Sequence, residues 1–217
     1  MKILGTKETI MDVRAATAAE RGELASLLAD LPADRWDEPT LCAGWRVREV
    51  VAHMTMPYRL SLPRVALGMV RAGGRFNRFA DRDARAAAVA HSPGELAALL
   101  AANVDHPWTP PGSGPEAALA HDVIHGLDVT VALGLDRRVP PERVEVLLTD
   151  AARPRALKYF GVDLDGVELR ADDLSWSSGA GAPLTGAAQD LLLALSGRRL
   201  PAGHLRGEPA ARFTAAS

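Results

Sequence analysis

Gly44-Trp45-Arg46-Val47-Arg48-Glu49-Val50-Val51-Ala52-His53-Met54 opens on a turn and continues as a helix. Val47, Val50, Val51 and Met54 fall at i, i+3, i+4 and i+7, the spacing that gathers apolar side chains on one helix face. His53 lies beside that stripe, where a residue facing the cavity of a bundle belongs. The same rhythm extends outward. Leu24, Leu27, Leu28 and Leu31 build an earlier helix that Pro32 stops. On the other side, a helix around Tyr58 to Arg71 contains Pro63, so it is kinked or starts late, and Gly73-Gly74 ends it. Pro93 to Val104 form a short helix with Leu96, Leu99 and Leu100 on one face.

A breaker cluster from Pro107 to Pro115 reads as an ordered loop or helix lead-in. Pro115 suits the first turn of the helix that follows, which runs through Ala118 to about Leu133 and closes at Gly134. Pro140-Pro141 opens another helix with Val144, Leu147 and Leu148 on one side. Antiparallel helices joined by mostly short loops imply a bundle. After about Phe160 the rhythm changes. Val167, Leu169 and Ala171 alternate with polar residues, as do Leu174 and Trp176, which predicts strands. Gly179 to Gly181 makes a turn, and Thr185 caps a helix from Gly186 to Ser196. Glu208 to Thr214 returns as a strand. The expected architecture is mainly α, a helical bundle over residues 12–160 followed by a small α+β unit over 161–217 that docks on it.

The chain has 217 residues, 47% hydrophobic and 24% charged, an ordinary balance for a folded protein rather than a disordered one. Its 25 Lys+Arg and 27 Asp+Glu leave a net charge of −2, so no overall field draws it to nucleic acid or to a membrane. The single cysteine, Cys42, excludes an internal disulfide or a Cys-rich zinc site. Met1 to Ile10 lack the apolar run of a signal peptide. No apolar stretch approaches the ~20 residues of a spanning helix. A cytoplasmic location is expected. Abundant Ala and Arg with scarce Lys and Ile suit a GC-rich genome.

Six histidines are present, and His121 and His125 stand four apart on a predicted helix, so both imidazoles leave one face. On the helical wheel Leu119, Ala120, Val123 and Leu127 cluster on one side, while His121, His125 and Asp128 fall opposite with Ala132. A solvated face in a chain this rich in Arg and Glu would carry Arg or Glu, and this arc carries neither. Asp122 follows His121 where a metalloprotease helix would have Glu, so that motif is absent. Two histidines from one helix and His53 from another can hold a divalent ion inside a bundle and leave one position open, as in catalytic zinc sites. Asp128, one turn past His125, would orient a ligand. Alternatively these histidines only pack.

The stretch Thr40-Leu41-Cys42-Ala43-Gly44-Trp45-Arg46-Val47-Arg48-Glu49-Val50-Val51-Ala52-His53 resembles the N-terminal hallmark of the mycothiol-dependent maleylpyruvate isomerase family, within the wider DinB-like metalloenzyme group. In that family a Cys-x-Gly-Trp turn leads into the helix bearing the first metal histidine. His121-Asp122-Val123-Ile124-His125-Gly126-Leu127-Asp128 resembles the segment supplying the other two ligands, and Gly186 to Arg198 resembles the family's small second domain. The resemblance implies a DinB-like four-helix bundle with a divalent metal, usually zinc, on His53, His121 and His125. The isomerase itself has a glutamate as second ligand where this chain has His121. Three histidines are the pattern of the thiol-transferase branches of the group.

The function implied is a metal-dependent thiol S-transferase or isomerase, with mycothiol or another low-molecular-weight thiol as cosubstrate and a small electrophile as substrate. An actinobacterial source and a homodimer accord with the resemblance. A non-catalytic metal- or ligand-binding bundle and a regulatory interaction protein on the same fold are the alternatives. Catalytic acid–base and cofactor-binding residues are not legible. Cys42 is expected to be structural in its turn, and Trp45 a packing anchor under the helix start. Arg75, Arg78 and Arg82 are expected on a solvated face, with an anionic substrate or the thiol as their other use. Arg198 and Arg199 are explained by the dipole of a helix C-terminus. His91, His106 and His204 are assigned no role.

Overall fold

A computed structural model describes residues 11–216, and the expectation placed on Met1 to Ile10 lies outside them. The described residues form ten α-helices and a four-stranded sheet. Helix α1 (Val13–Ala29) starts on Asp12, whose carboxylate accepts the Arg14 and Ala15 N–H groups at 3.0 and 3.2 Å. A 3-10 turn (Ala33–Asp37) buries Trp36 before α2 (Val47–Met54). Two short helices follow, α3 (Met56–Arg59) and α4 (Leu62–Arg71). The break at Leu60-Ser61 leaves Pro63 in the first turn of α4, so that helix starts late rather than kinking.

Next come α5 (Phe76–Ala90) and α6 (Pro93–Ala101), separated at Ser92, whose hydroxyl and backbone exchange hydrogen bonds with Glu95. Helix α5 had no counterpart in the periodicity. Its buried side is Phe79, Ala80, Ala84, Ala87 and Ala88, so no leucine rhythm marks it. Small side chains there let α2 approach closely. Helix α7 (Pro115–Ala132) packs on both α1 and α2, while α6 packs on α1 and α5 on α2. The four walls are therefore α1, α7, α2 and the broken α5–α6 unit, with α1 and α2 diagonally opposed. This is a four-helix bundle.

Beyond it lie α8 (Pro141–Ala151) and α9 (Pro154–Phe160), then β1 (Val167–Ala171), β2 (Ser177–Gly179), β3 (Ala182–Gly186), α10 (Ala188–Leu195) and β4 (Leu205–Arg206). Strand order is β2-β1-β3-β4, with β1 and β3 parallel and the outer pairs antiparallel. The chain passes from β2 to β3 around the start of β1, so tightly that a Cβ on Gly181 (φ +136°) would lie 2.1 Å from the Gly166 carbonyl oxygen.

Three local expectations are corrected. Leu174 and Trp176 lie in the bend before β2 rather than in a strand. Thr185 and Gly186 end β3, and the helix starts at Ala188, whose N–H is accepted by Asp173 at 2.7 Å. Glu208–Arg212 is a 3-10 turn, and only Thr214 bridges, to Leu200.

Helix α7 joins two cores. Leu119, Val123 and Leu127 pack with Val144, Leu147 and Leu148 of α8, with Leu169 and Leu184 of the sheet and with Leu191–Leu195 of α10. Val129 and Leu133 join Leu24, Leu28, Trp36, Val47, Val50, Val51, Leu96 and Leu100 in the bundle core. Burial on both sides explains why α7 is apolar almost all round and why its polar residues stand out. Among the described residues no helix is long and apolar enough to cross a membrane.

Candidate metal centre

The turn before α2 is built by its own sequence. The Thr40 hydroxyl accepts the Cys42 N–H at 3.2 Å and donates to the Trp45 carbonyl at 2.9 Å, and Gly44 takes the left-handed conformation (φ +81°). The Glu49 carboxylate accepts the Arg46 N–H at 2.9 Å and so closes the first turn of α2. Two further bonds fix where the turn sits. Leu41 N–H donates to the Asp128 carbonyl of α7 at 3.1 Å, and Trp45 Nε1–H donates to Asp81 of α5 at 2.8 Å. Cys42 is thereby set beside Asp128, and the Trp45 ring lies 5.0 Å from the His53 ring.

His53 of α2 and His121 and His125 of α7 come together: one ring nitrogen from each lies within 4.8 Å of the others. His53 is buried, and the His121 and His125 side chains are each 13% exposed. Each α7 ring is held from behind. His121 Nδ1 is 2.9 Å from Asp122 Oδ1, and Asp122 Oδ2 accepts Arg21 Nε–H at 2.7 Å. His125 Nδ1 is 3.0 Å from Asp128 Oδ2, and Arg198 grips both oxygens of Asp128, Nε at 2.9 Å and Nη2 at 2.8 Å. Two His–Asp–Arg chains thus approach one point from outside.

These chains fix the tautomers. An ionised carboxylate only accepts, so Nδ1 of His121 and of His125 carries the proton and each Nε2 presents a lone pair inward. His121 Nε2 lies 3.3 Å from His53 Nε2. A tetrahedral ion with bonds of about 2.0–2.1 Å to nitrogen has an N···N edge of about 3.3–3.4 Å, so the spacing suits zinc. The buried His53 Nδ1 has no partner among the described residues, so nothing internal satisfies that ring fully. Each outer carboxylate is offset by an arginine, and imidazole nitrogens binding through a lone pair add no charge, so a bound dication would keep its full charge.

Burial disfavours the charged ring and holds His53 well below the usual 6.5, with repulsion from His125, His121 and Arg59 adding to the effect. Burial lowers His125 as well, outweighing the pull of Asp128. Burial alone would raise Asp128, but hydrogen bonds from His125 and Arg198 bring it below its usual 3.8. The Cys42 thiol is pushed up to about 11, chiefly by burial and further by Asp128, with Arg198 opposing. It is a poor nucleophile at neutral pH and, though near His125 and Asp128, a poor ligand without a stronger reason to ionise.

The depressed histidines set a pH dependence. Below pH 6.5 the unfolded chain takes up protons at His53 and His125 before the folded chain does, so folding is opposed there and unaffected above. Metal-free protein should therefore lose stability as pH falls from 7.5 to 5.5, at up to about 1.4 kcal/mol per pH unit for each proton taken up. Urea unfolding in the presence of chelator measures it. Unchanged or rising stability over that range would contradict the burial of these rings.

The expectation for Arg198 changes. Arg198 donates to the Ser196 carbonyl at 2.7 Å, but its main bonds are to Asp128, so it serves the histidine cluster as well as the helix end. Arg198→Ala is expected to weaken metal binding by about 10–100-fold, the usual cost of removing a group that orients a ligand, with Arg198→Lys intermediate. Competition with a chromogenic chelator reads this, and equal affinities would show that Asp128 needs no clamp. Trp108, in the loop before α7, places its ring 5.2 Å from His121. Arg21 ties that loop down through the His106 carbonyl at 2.7 Å. His204 pairs instead with Asp190 at 3.0 Å, in a separate cleft between the α7–α8 loop and the start of α10. Asp122, Arg21, Arg198 and Trp108 were all missed by spacing, though Asp122 stands next to His121 in the sequence.

Fold and cluster together define a helical bundle with three converging imidazoles. The chain belongs to the mycothiol maleylpyruvate isomerase family: residues 17–109 match the mycothiol maleylpyruvate isomerase N-terminal domain, a span that includes His53. Uncharacterised proteins from two strains of Mycobacterium tuberculosis are 31% identical to it over 215 residues, covering 83% of each chain. Among solved structures it is similar to the mycothiol-dependent maleylpyruvate isomerase, at 14% identity and a TM-score of 0.60 over 92% of both chains. A histidine-to-alanine mutant of that isomerase is similar too, at 12% identity and a TM-score of 0.61 over 92% of both chains. Identities this low bear on the fold alone.

Proposed function

We propose that this protein is a divalent-metal enzyme that uses a low-molecular-weight thiol, mycothiol in the first instance, on a small electrophilic substrate. The observation that carries the proposal is the pair of His–Asp–Arg chains that turn His121 and His125 toward His53. A dication held there would supply Lewis acidity and lower the pKa of a thiol that reached it. His53, His121 and His125 are its proposed ligands. Asp122 and Asp128 keep the α7 rings in the right tautomer, and Arg21 and Arg198 hold those carboxylates in place in turn. Trp45 and Trp108 flank the cluster with apolar rings and shield it from water.

The attacking sulfur is the cosubstrate's, because burial keeps Cys42 protonated. Addition of that sulfur to an electrophilic carbon gives an S-conjugate, and its departure after bond rotation gives an isomerised product. Family membership supports the thiol, and the structurally similar isomerase makes maleylpyruvate one substrate to try. His121 in place of a carboxylate argues for testing transfer chemistry beside isomerisation.

The test is thiol consumption by zinc-loaded protein with mycothiol and a panel of electrophiles that includes maleylpyruvate. Turnover above the uncatalysed rate, lost in His53→Ala, is the expected result. Full zinc occupancy with no consumption across the panel would mean a metal-binding bundle without this activity.

A further inference from the structure

The near-neutral charge of the whole chain conceals a local asymmetry. Between Glu49 and Asp81 there is no acidic residue, while Arg59, Arg64, Arg71, Arg75 and Arg78 all fall in that interval. Arg59 is neutralised by Asp83 at 2.7 Å. Arg64, Arg71, Arg75 and Arg78 have no ion pair among the described residues, and all four are exposed. Arg64 and Arg71 lie on α4 and Arg75 and Arg78 follow it at the start of α5; α4 itself is apolar on two sides. Its inner side, Val65 and Met69, packs over Met56, Ala72 and Phe79.

The outer side is unusual. Leu62 is 85% exposed and Val70 77%, and around the wheel the exposed residues run Leu62, Ala66, Val70, Pro63, Leu67 in one arc. Phe76, at the start of α5, is exposed as well. Arg64 and Arg71, seven residues apart, line one edge of this arc. A contiguous exposed apolar surface rimmed by polar groups marks an interaction site.

From the unpaired arginines bordering an outward apolar arc we infer that the α4 face, with Phe76, is a peripheral docking surface for an anionic lipid bilayer. Apolar side chains enter the boundary between headgroups and acyl chains while arginines at the rim meet lipid phosphates, the arrangement of interfacial amphipathic helices. Charge decides against a second copy of this chain. A two-fold contact through α4 would bring two sets of unpaired guanidinium groups together with no carboxylate in the segment to receive them. Nucleic acid would satisfy the arginines but leave Leu62, Leu67 and Val70 without a use. One ten-residue helix and four arginines give weak, reversible, salt-sensitive association.

The test is co-sedimentation of full-length, zinc-loaded protein with vesicles at low and physiological salt. One set contains equal parts phosphatidylglycerol and phosphatidylcholine, the other phosphatidylcholine alone. Binding to the anionic set only, weakening with salt, is expected. Each of Arg64→Gln and Arg71→Gln should reduce partitioning about fivefold, and L62D/V70D should abolish it. These positions are exposed, so circular dichroism and metal content should match the parent. Failure to sediment, equal binding to both sets, or full binding by L62D/V70D would overturn the inference. So would a parent dimer that L62D/V70D dissociates while vesicles remain unbound, or oligonucleotide binding that survives L62D/V70D in place of vesicle binding.

Discussion

Arg21→Ala should destabilise the protein by about 3–5 kcal/mol, the cost of leaving a buried charge without its partner. Arg21 and Asp122 are both 1% exposed and meet at 2.7 Å although they stand 101 positions apart in the chain. The guanidinium also holds the Val104 and His106 carbonyls, and it lies over the Tyr58 ring. Its removal strands a carboxylate in the interior and frees the loop that carries Trp108. Arg21→Met with Asp122→Leu should lose less than Arg21→Ala alone, because no unpaired charge then remains. Urea denaturation of chelated protein at pH 7.5 measures both. A single-variant loss under about 1 kcal/mol would place this pair with exposed ion pairs and contradict its burial.

His125→Ala carries the second large effect. Structural zinc sites bind with about 10–16 kcal/mol, so each of three or four donors accounts for several kcal/mol, and losing one should weaken binding by several hundredfold or more. His53→Ala and His121→Ala should do the same, since the three nitrogens share one point. The parent's thermal transition should rise with added zinc and the variants' should not, because a ligand stabilises only the form that binds it. A variant that bound zinc as tightly as the parent would remove that histidine from the site.

What the sequence disclosed depended on distance along the chain. Helices α2 and α7 were legible because their valines and leucines repeat within one or two turns. The pair His121/His125 was legible for the same reason. Helix α5 was not, since alanines make its buried side and arginines dominate its composition. The partners that orient the rings were hidden: Arg21 lies 101 residues from Asp122, and Arg198 lies 70 from Asp128. Only folding brings those groups together. Arg198 looked sufficient as a helix-end cation, a role its bond to Ser196 partly keeps. His53 was legible from its place beside the apolar stripe, and the resemblance of the Thr40–His53 stretch pointed the same way.

His53, His121 and His125 are the proposed ligands of one divalent cation. Elemental mass spectrometry of protein purified without a histidine tag or chelator tests this most directly. About one zinc or similar ion per chain in the parent, lost in His53→Ala and in His125→Ala, is the predicted result. Less than a tenth of an ion per chain, even after reconstitution with zinc, nickel and manganese, would contradict it and leave three histidines that only pack.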